Sequence, residues 1–298
     1  MKGAPHAAGG VRDYLGLVRF SHTIFALPFA LQGAWLAARG RPAWGTLALI
    51  VVACVAARTA AMAFNRLVDA RLDADNPRTS GRELPTGRLS PRAVAVLVAV
   101  SCATFVALAF ALNPLCGKLS FCVLAILLAY SFAKRVTWLC HALLGLSLGL
   151  APLGAWLAVR GELDQDVWVA LILAAAVLTW VAGFDLIYAC QDADHDARVG
   201  LHSIPARFGI AKALGLSSAL HALTVALLAL LAREAELGWI FVLALVACAL
   251  LLAWEHRLVS PGDLSRVNAA FFTVNGWVAV ALFAGCALDL AFLSGTRA

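Results

Sequence analysis

The sequence predicts an all-α, polytopic transmembrane bundle of nine helices with an acidic site on its cytoplasmic side. Three observations predict it. Of the 298 residues, 62% are apolar and only 13% are charged, with a mean hydropathy of +0.87; a soluble chain carries roughly twice that charged fraction. The charges are clustered, so long stretches carry none. Those stretches run to about 20 residues, the length a helix needs to cross roughly 30 Å of hydrocarbon. Residues 1–15 read as an N-terminal tail and 16–298 as a single membrane domain.

The spans fall near 20–38, 43–64, 92–113, 118–133, 138–158, 166–190, 210–232, 238–254 and 268–291. The first is of full span length and no clear small-residue cleavage site follows it, so it reads as a span rather than a cleavable signal peptide. Pro28, Pro152 and the glycine-rich stretch 145–154 point to bent, closely packed helices, which membrane bundles tolerate. The eight cysteines (Cys54, Cys102, Cys116, Cys122, Cys140, Cys190, Cys248 and Cys286) lie mostly within apolar runs, without CxxC spacing, and read as packing residues rather than a disulfide framework. Trp35, Trp138, Trp156, Trp168 and Trp239 stand near span ends, as interfacial belt residues do.

Lysine and arginine set the orientation. Sixteen fall on one side of this arrangement and six on the other, with Arg58 inside the second span. The positive-inside rule then places the N-terminus and both acidic segments in the cytoplasm and the C-terminus outside. The protein is expected in the inner, cytoplasmic membrane. Its basic excess is topological, and no nucleic acid or obligate protein partner is implied.

Two segments carry the chemistry, residues 65–90 and 185–209. Each follows an even-numbered span on the basic side. Asn65, Asp69 and Asp73 stand at i, i+4 and i+8, and so do Tyr188, Asp192 and Asp196. On a helix each step of four drifts only about 40° around the axis and rises about 6 Å, so each set lines one face. Carboxylates gathered at the mouth of an apolar bundle are costly unless cations hold them. Oxygen ligands at this density suit Mg²⁺, usually held by a few carboxylates together with substrate phosphates. Arg78, Arg82, Lys134, Arg135, Arg198 and Arg207 lie on the same side and can hold the remaining oxygens of a diphosphate.

At these residues the chain resembles the UbiA superfamily of intramembrane prenyltransferases, whose pattern is NxxxDxxxD after the second helix and DxxxD after the sixth. Residues 76–87, 130–135 and 185–209 lean toward the 4-hydroxybenzoate polyprenyltransferase branch. Arg66 and the stretch 200–209 resemble a subgroup that includes enzymes using a naphthoate acceptor in menaquinone synthesis. The resemblance implies transfer of a polyprenyl group from polyprenyl diphosphate to an aromatic acid, 4-hydroxybenzoate first, in quinone synthesis. It gives metal binding to Asn65, Asp69, Asp73, Asp192 and Asp196. Catalytic roles go to the four aspartates with Lys134 and Tyr188, and substrate binding to Asn65, Arg78, Arg82, Tyr130, Arg135, Arg19 and Asp185.

Asp185 lies one turn before Tyr188, where it either orients a base or the tyrosine or makes a structural hydrogen bond. His195 and His202 read as solvated loop residues, His22 and His141 as hydrogen-bonded within helices. Ion-coupled secondary transport is the rival class. Transporters carry their ionisable groups near the midplane, whereas these acids sit at span ends.

Overall fold

The computed structural model describes residues 10–18 and 25–296, with side chains to 292. In chain order the helices are α1 (Val11–Leu17), α2 (Leu27–Ala38), α3 (Trp44–Asp75), α4 (Pro91–Leu112), α5 (Pro114–Val136), α6 (Cys140–Arg160) and α7 (Val167–Ala189). A 3₁₀ turn, Cys190–Asp192, leads into α8 (Ala193–Val199), then come α9 (Ile204–Phe208), α10 (Ile210–Glu234) and α11 (Trp239–Arg257). A π-helical turn, Ala269–Val274, opens the last helix, α12 (Asn275–Thr296). Among the described residues, eight helices are long and apolar enough to cross a membrane. The chain is an integral, multi-pass membrane protein. The first expected span is represented by α2, a largely apolar helix of 12 residues that comes after a segment, 19–24, lying outside the described residues together with Arg19 and His22.

Helix termini obey local chemistry. Ser90 accepts a hydrogen bond from Ala93 N at 3.2 Å and Pro91 opens α4. Asn113 alone joins α4 to α5: its Oδ1 accepts from Cys116 N at 2.8 Å and its Nδ2 donates to Leu157 O at 2.9 Å. α3 is longer than the expected span, which ends at 64 with a loop from 65. Its 32 residues carry the first motif as regular helix. Alanine, leucine, arginine and aspartate run from 60 to 75 without glycine or proline, and the helix stops where Pro77 forces Asn76 into extended backbone (φ −95°, ψ 118°).

The second motif differs too. Tyr188 lies in the last turn of α7, Asp192 closes the 3₁₀ turn and Asp196 sits in α8, so the three do not lie on one continuous α-helix as the i, i+4, i+8 spacing suggests. The tighter 3₁₀ winding rotates α8 by roughly 60° over three residues relative to an unbroken α-helix.

α7 is the central strut, packed by α6 on one side and α10 on the other, with α2 bridging α6 and α12. Small residues make this closeness possible. A Cβ at Gly33 would lie 2.3 Å from Pro152 O, and one at Gly145 2.3 Å from Leu178 O, so α2–α6 and α6–α7 meet backbone to backbone. The main core joins α2, α6, α7, α10, α11 and α12 around Trp156, Trp180 and Phe241. Trp156, expected in the interfacial belt, is instead 2% exposed because α6 turns it inward; Trp239, 72% exposed, fits the expectation. All eight cysteines are free.

Candidate active site

Asp69 and Asp73 are only 2% and 6% exposed. A carboxylate buried this far requires charged or hydrogen-bonding partners, and both have them. Asp69 accepts from Asn65 Nδ2 at 3.2 Å and from Arg135 Nη2 at 2.8 Å, with Lys134 Nζ at 3.3 Å. Asp73 accepts from Arg82 Nη1 at 2.6 Å, while Arg66 Nη1 stands 4.0 Å away. Its Oδ2 is buried and accepts no hydrogen bond from the described residues. α3 supplies the acids and Arg66, the end of α5 Lys134 and Arg135, and the loop after α3 Arg82.

The same loop reaches the second motif. Asn76 Nδ2 donates to Asp192 Oδ1 at 3.1 Å, and Arg78 grips both Asp192 oxygens in a fork, Nε to Oδ1 at 2.9 Å and Nη2 to Oδ2. Arg78 Nη1 also donates to the Tyr188 hydroxyl at 3.0 Å, with the guanidinium 5.2 Å from that ring's centroid. Burial alone would lower the Arg78 pKa, but the hydrogen bond and charge of Asp192, with Tyr188, outweigh it and raise it. The two motifs are thus joined directly, through a residue pair more than a hundred positions apart in sequence. Asp196 is buried beside Ser203.

These groups rim a cavity of about 590 Å³. Asn65, Asp69, Asp73, Arg78, Arg82, Tyr130, Lys134, Asp185, Tyr188, Asp192 and Asp196 all line it. Arg135 touches Asp69 but is not part of the wall, and Arg198 donates to Asp194 O. Away from the acids the wall is apolar, contributed by α4, α5 and α6 together with Phe25, Phe184 and Phe271.

Two residues gain an importance that their sequence context does not announce. His141, expected to be hydrogen-bonded within its helix, instead pairs across helices with Asp185, Nδ1 to Oδ2 at 2.7 Å. Its Nε2 faces Ile204 N at 3.4 Å and therefore accepts, which puts the ring proton on Nδ1, donated to Asp185. The other is Arg58, in sequence a stray charge within a span. It lines the cavity seven residues before Asn65, which on a helix is nearly the same face and roughly 10 Å deeper. An arginine within a span marks a functional site by default, and that is the signal the sequence carries. His195, expected as a solvated loop residue, also lines the cavity.

Residues 26–285 match the UbiA prenyltransferase family. The chain belongs to that family. A 4-hydroxybenzoate octaprenyltransferase of Chromohalobacter salexigens is 33% identical over 296 residues, covering 96% of each chain, and one of Pseudomonas aeruginosa is 33% identical over 94% of each. The fold of a UbiA homolog from Aeropyrum pernix K1 superposes with a TM-score of 0.83 at 38% identity, covering 90% of this chain and 98% of that one. A UbiA homolog from Archaeoglobus fulgidus, bound to GPP and Mg²⁺, shares the fold at a TM-score of 0.71 and 21% identity, covering 94% and 99% of the respective chains. The protein is an aromatic prenyltransferase of this family, which sets ion-coupled transport aside.

Proposed function

We propose that this prenyltransferase joins the polyprenyl group of a polyprenyl diphosphate to a ring carbon of 4-hydroxybenzoate, releasing diphosphate, in quinone biosynthesis. The observation that carries the reading is the cavity's polarity. It is rimmed by acids and bases at one end and holds the cation Arg58 two helical turns deeper in a largely apolar wall. The rim suits a metal-bound diphosphate, and the deep cation suits the carboxylate of an aromatic acid. The relatives named for 4-hydroxybenzoate support that acceptor. A dihydroxynaphthoate also carries a carboxylate and ring hydroxyls, so the two acceptors are to be compared side by side.

The donor set fits Mg²⁺. The ligands of the two motifs are all oxygens, and Asp73 Oδ2 is a buried acceptor that takes no hydrogen bond from the described residues. Among those residues no three acidic, imidazole or thiolate groups stand close enough to share one ion. That leaves positions for diphosphate oxygens and water, the usual way Mg²⁺ is held. Asn65, Asp69 and Asp73 of the first motif and Asp192 and Asp196 of the second would each contribute to holding Mg²⁺ only together with diphosphate oxygens and water, and bound metal would neutralise charge on the leaving diphosphate.

The chain's own groups do the rest. Arg78, Arg82 and Lys134 hold diphosphate oxygens, with Arg135 supporting Asp69 from behind. Tyr130 and Tyr188, which line the cavity beside these groups, are assigned to the allylic carbon. Arg58 fixes the acceptor's carboxylate and so aims its ring at that carbon. Asp185, with Oδ2 held by the His141 N–H and Oδ1 without a hydrogen-bond partner among the described residues, accepts the proton that the ring loses. Residues 16–298 act as one domain with α2 belonging to a ninth span, and the rim faces the cytoplasm.

Arg58→Ala is expected to cost about 2–5 kcal/mol of acceptor binding, or at least ~30-fold in acceptor KM, while the KM for the diphosphate stays put; an unchanged acceptor KM removes Arg58 from the acceptor's site. Chelation with EDTA is expected to abolish turnover and added Mg²⁺ to restore it, so full activity in chelator contradicts the metal assignment. A cysteine introduced at the exposed Ser80 should stay unlabelled by an impermeant thiol reagent applied to intact cells, and rapid labelling would reverse the orientation.

A further inference from the structure

Behind the cavity, on the side of α10, α11 and α12, lies a second set of polar groups that the proposed chemistry does not use. Glu255 and Asn275 are 0% exposed and Trp180 is 1% exposed. Asn275 saturates its amide. Its Oδ1 accepts from Trp180 Nε1 at 2.7 Å, and its Nδ2 donates to Glu255 Oε1 at 2.7 Å and, at 3.2 Å each, to the carbonyls of Ala270 and Phe271. Flipping the amide would set its oxygen against three acceptors and its NH₂ against a donor, so this orientation alone satisfies the neighbours. Glu255 Oε2 lies 3.6 Å from His221 Nδ1, which in turn meets His256 Nε2 at 3.0 Å.

The two carbonyls belong to the π-helical turn Ala269–Val274. A π turn is rare and frequently found at functional sites, because i→i+5 bonding leaves the regular ladder incomplete. Here the Asn275 side chain supplies donors for that ladder, and Glu255 and Trp180 fix the side chain from α11 and α7. Relaxation of the turn to α geometry would remove one residue of register and rotate the first residues of the turn, with those before it, by up to about 100° relative to α12. Phe271 is among them. Its ring lies 4.3 Å from that of Tyr188, 5.1 Å from Phe184 and 5.5 Å from Phe25, centroid to centroid, and it lines the cavity with all three.

We propose that Glu255, Asn275 and Trp180 are positioning residues for prenyl transfer, their buried network holding the π turn that sets Phe271 beside Tyr188 on the cavity wall. The inference rests on the prenyl-transfer reading. When the C–O bond breaks, its electron pair leaves with the diphosphate and the allylic carbon is cationic. That carbon then takes an electron pair either from the acceptor's ring carbon, which afterwards loses its proton, or from water, which loses a proton to leave the prenyl alcohol. An aromatic wall in register attracts the cation through its ring faces and keeps water out. The network thus governs the partition between the two products.

The experiment measures that partition in purified enzyme with Mg²⁺ and labelled geranyl diphosphate, with 4-hydroxybenzoate and 1,4-dihydroxy-6-naphthoate supplied separately. Asn275→Leu is expected to raise the ratio of prenyl alcohol to prenylated acceptor about tenfold, with little change in the KM for the diphosphate. Trp180→Phe, which removes the N–H that Asn275 accepts together with part of the indole but keeps an aromatic ring, should raise it in the same direction and carries the test if Asn275→Leu does not fold. Glu255→Gln keeps an acceptor for Asn275 and should retain the low ratio that Glu255→Leu loses. Thr224→Val, which removes a buried hydrogen bond to Thr179 at 2.8 Å without touching the turn, controls for stability alone and should leave the ratio unchanged. Variants that lower folded yield but partition like the wild type overturn the inference and leave the prenyl-transfer reading intact. A wild type that prenylates neither acceptor overturns both.

Discussion

Carboxylates at the mouth of an apolar bundle must be held by cations, and this requirement organises the molecule. Asp69 and Asp73 are nearly sealed from solvent, at 2% and 6% exposure, where an unpaired carboxylate would cost several kcal/mol. Lys134 and Arg135 from the end of α5 meet Asp69, Arg82 from the loop after α3 meets Asp73, and Arg78 forks onto Asp192. Each pair ties together elements that local propensity does not. The loop 76–90 is ordered because its arginines have carboxylates to reach, and the two halves of the chain are joined at the rim through Arg78. A charged pair so placed is poor ballast for stability, but it sets acids and bases in alternation along the rim, the arrangement on which the proposed binding of a metal-bound diphosphate rests.

Depth along α3 then separates the chemistry into layers. Asp73, Asp69 and Asn65 descend by one turn each, and Arg58 lies roughly two turns beneath Asn65 on nearly the same face. The proposed substrate pair, whose polar ends differ in position, rests on this layering: charge and two tyrosines at the rim, Arg58 deeper and apolar wall beyond. The aromatic wall is built from the other half of the bundle, where Phe271 owes its place to a π turn and the turn to a buried amide. Rim and wall are thus held by independent hydrogen-bond networks, one facing solvent and one wholly internal.

Much of this is legible in the residues. The membrane class, most span positions and the pairing of the two acidic motifs come from hydropathy, charge clustering and four-residue spacing, and nearly every expected rim residue lines one cavity. What escapes a reading of the residues does so for physical causes. Hydropathy falls at 64 and so suggests that α3 ends there, yet helix propensity continues to Asp75 and only Pro77 stops it. The 3₁₀ turn at Cys190–Asp192 carries no proline or glycine to announce it. Asp185 and His141 are 44 residues apart, so their pairing depends on how α6 packs against α7. Trp156 sits near a span end in sequence but turns into the core, a choice of helix face that composition does not record.

The central claim is that the two acidic motifs form a single site, and a double-mutant cycle on turnover tests it most directly. Asp69→Ala and Asp192→Ala are each expected to cost about 3–4 kcal/mol of transition-state stabilisation, or 10²- to 10³-fold in kcat. Helical content and extracted yield are measured alongside, to separate chemistry from folding. Because residues acting as a unit are grossly non-additive, the double variant should be little slower than either single one. Losses that simply multiply would mean that the motifs serve different ligands, and wild-type turnover in Asp192→Ala would remove the second motif from the site.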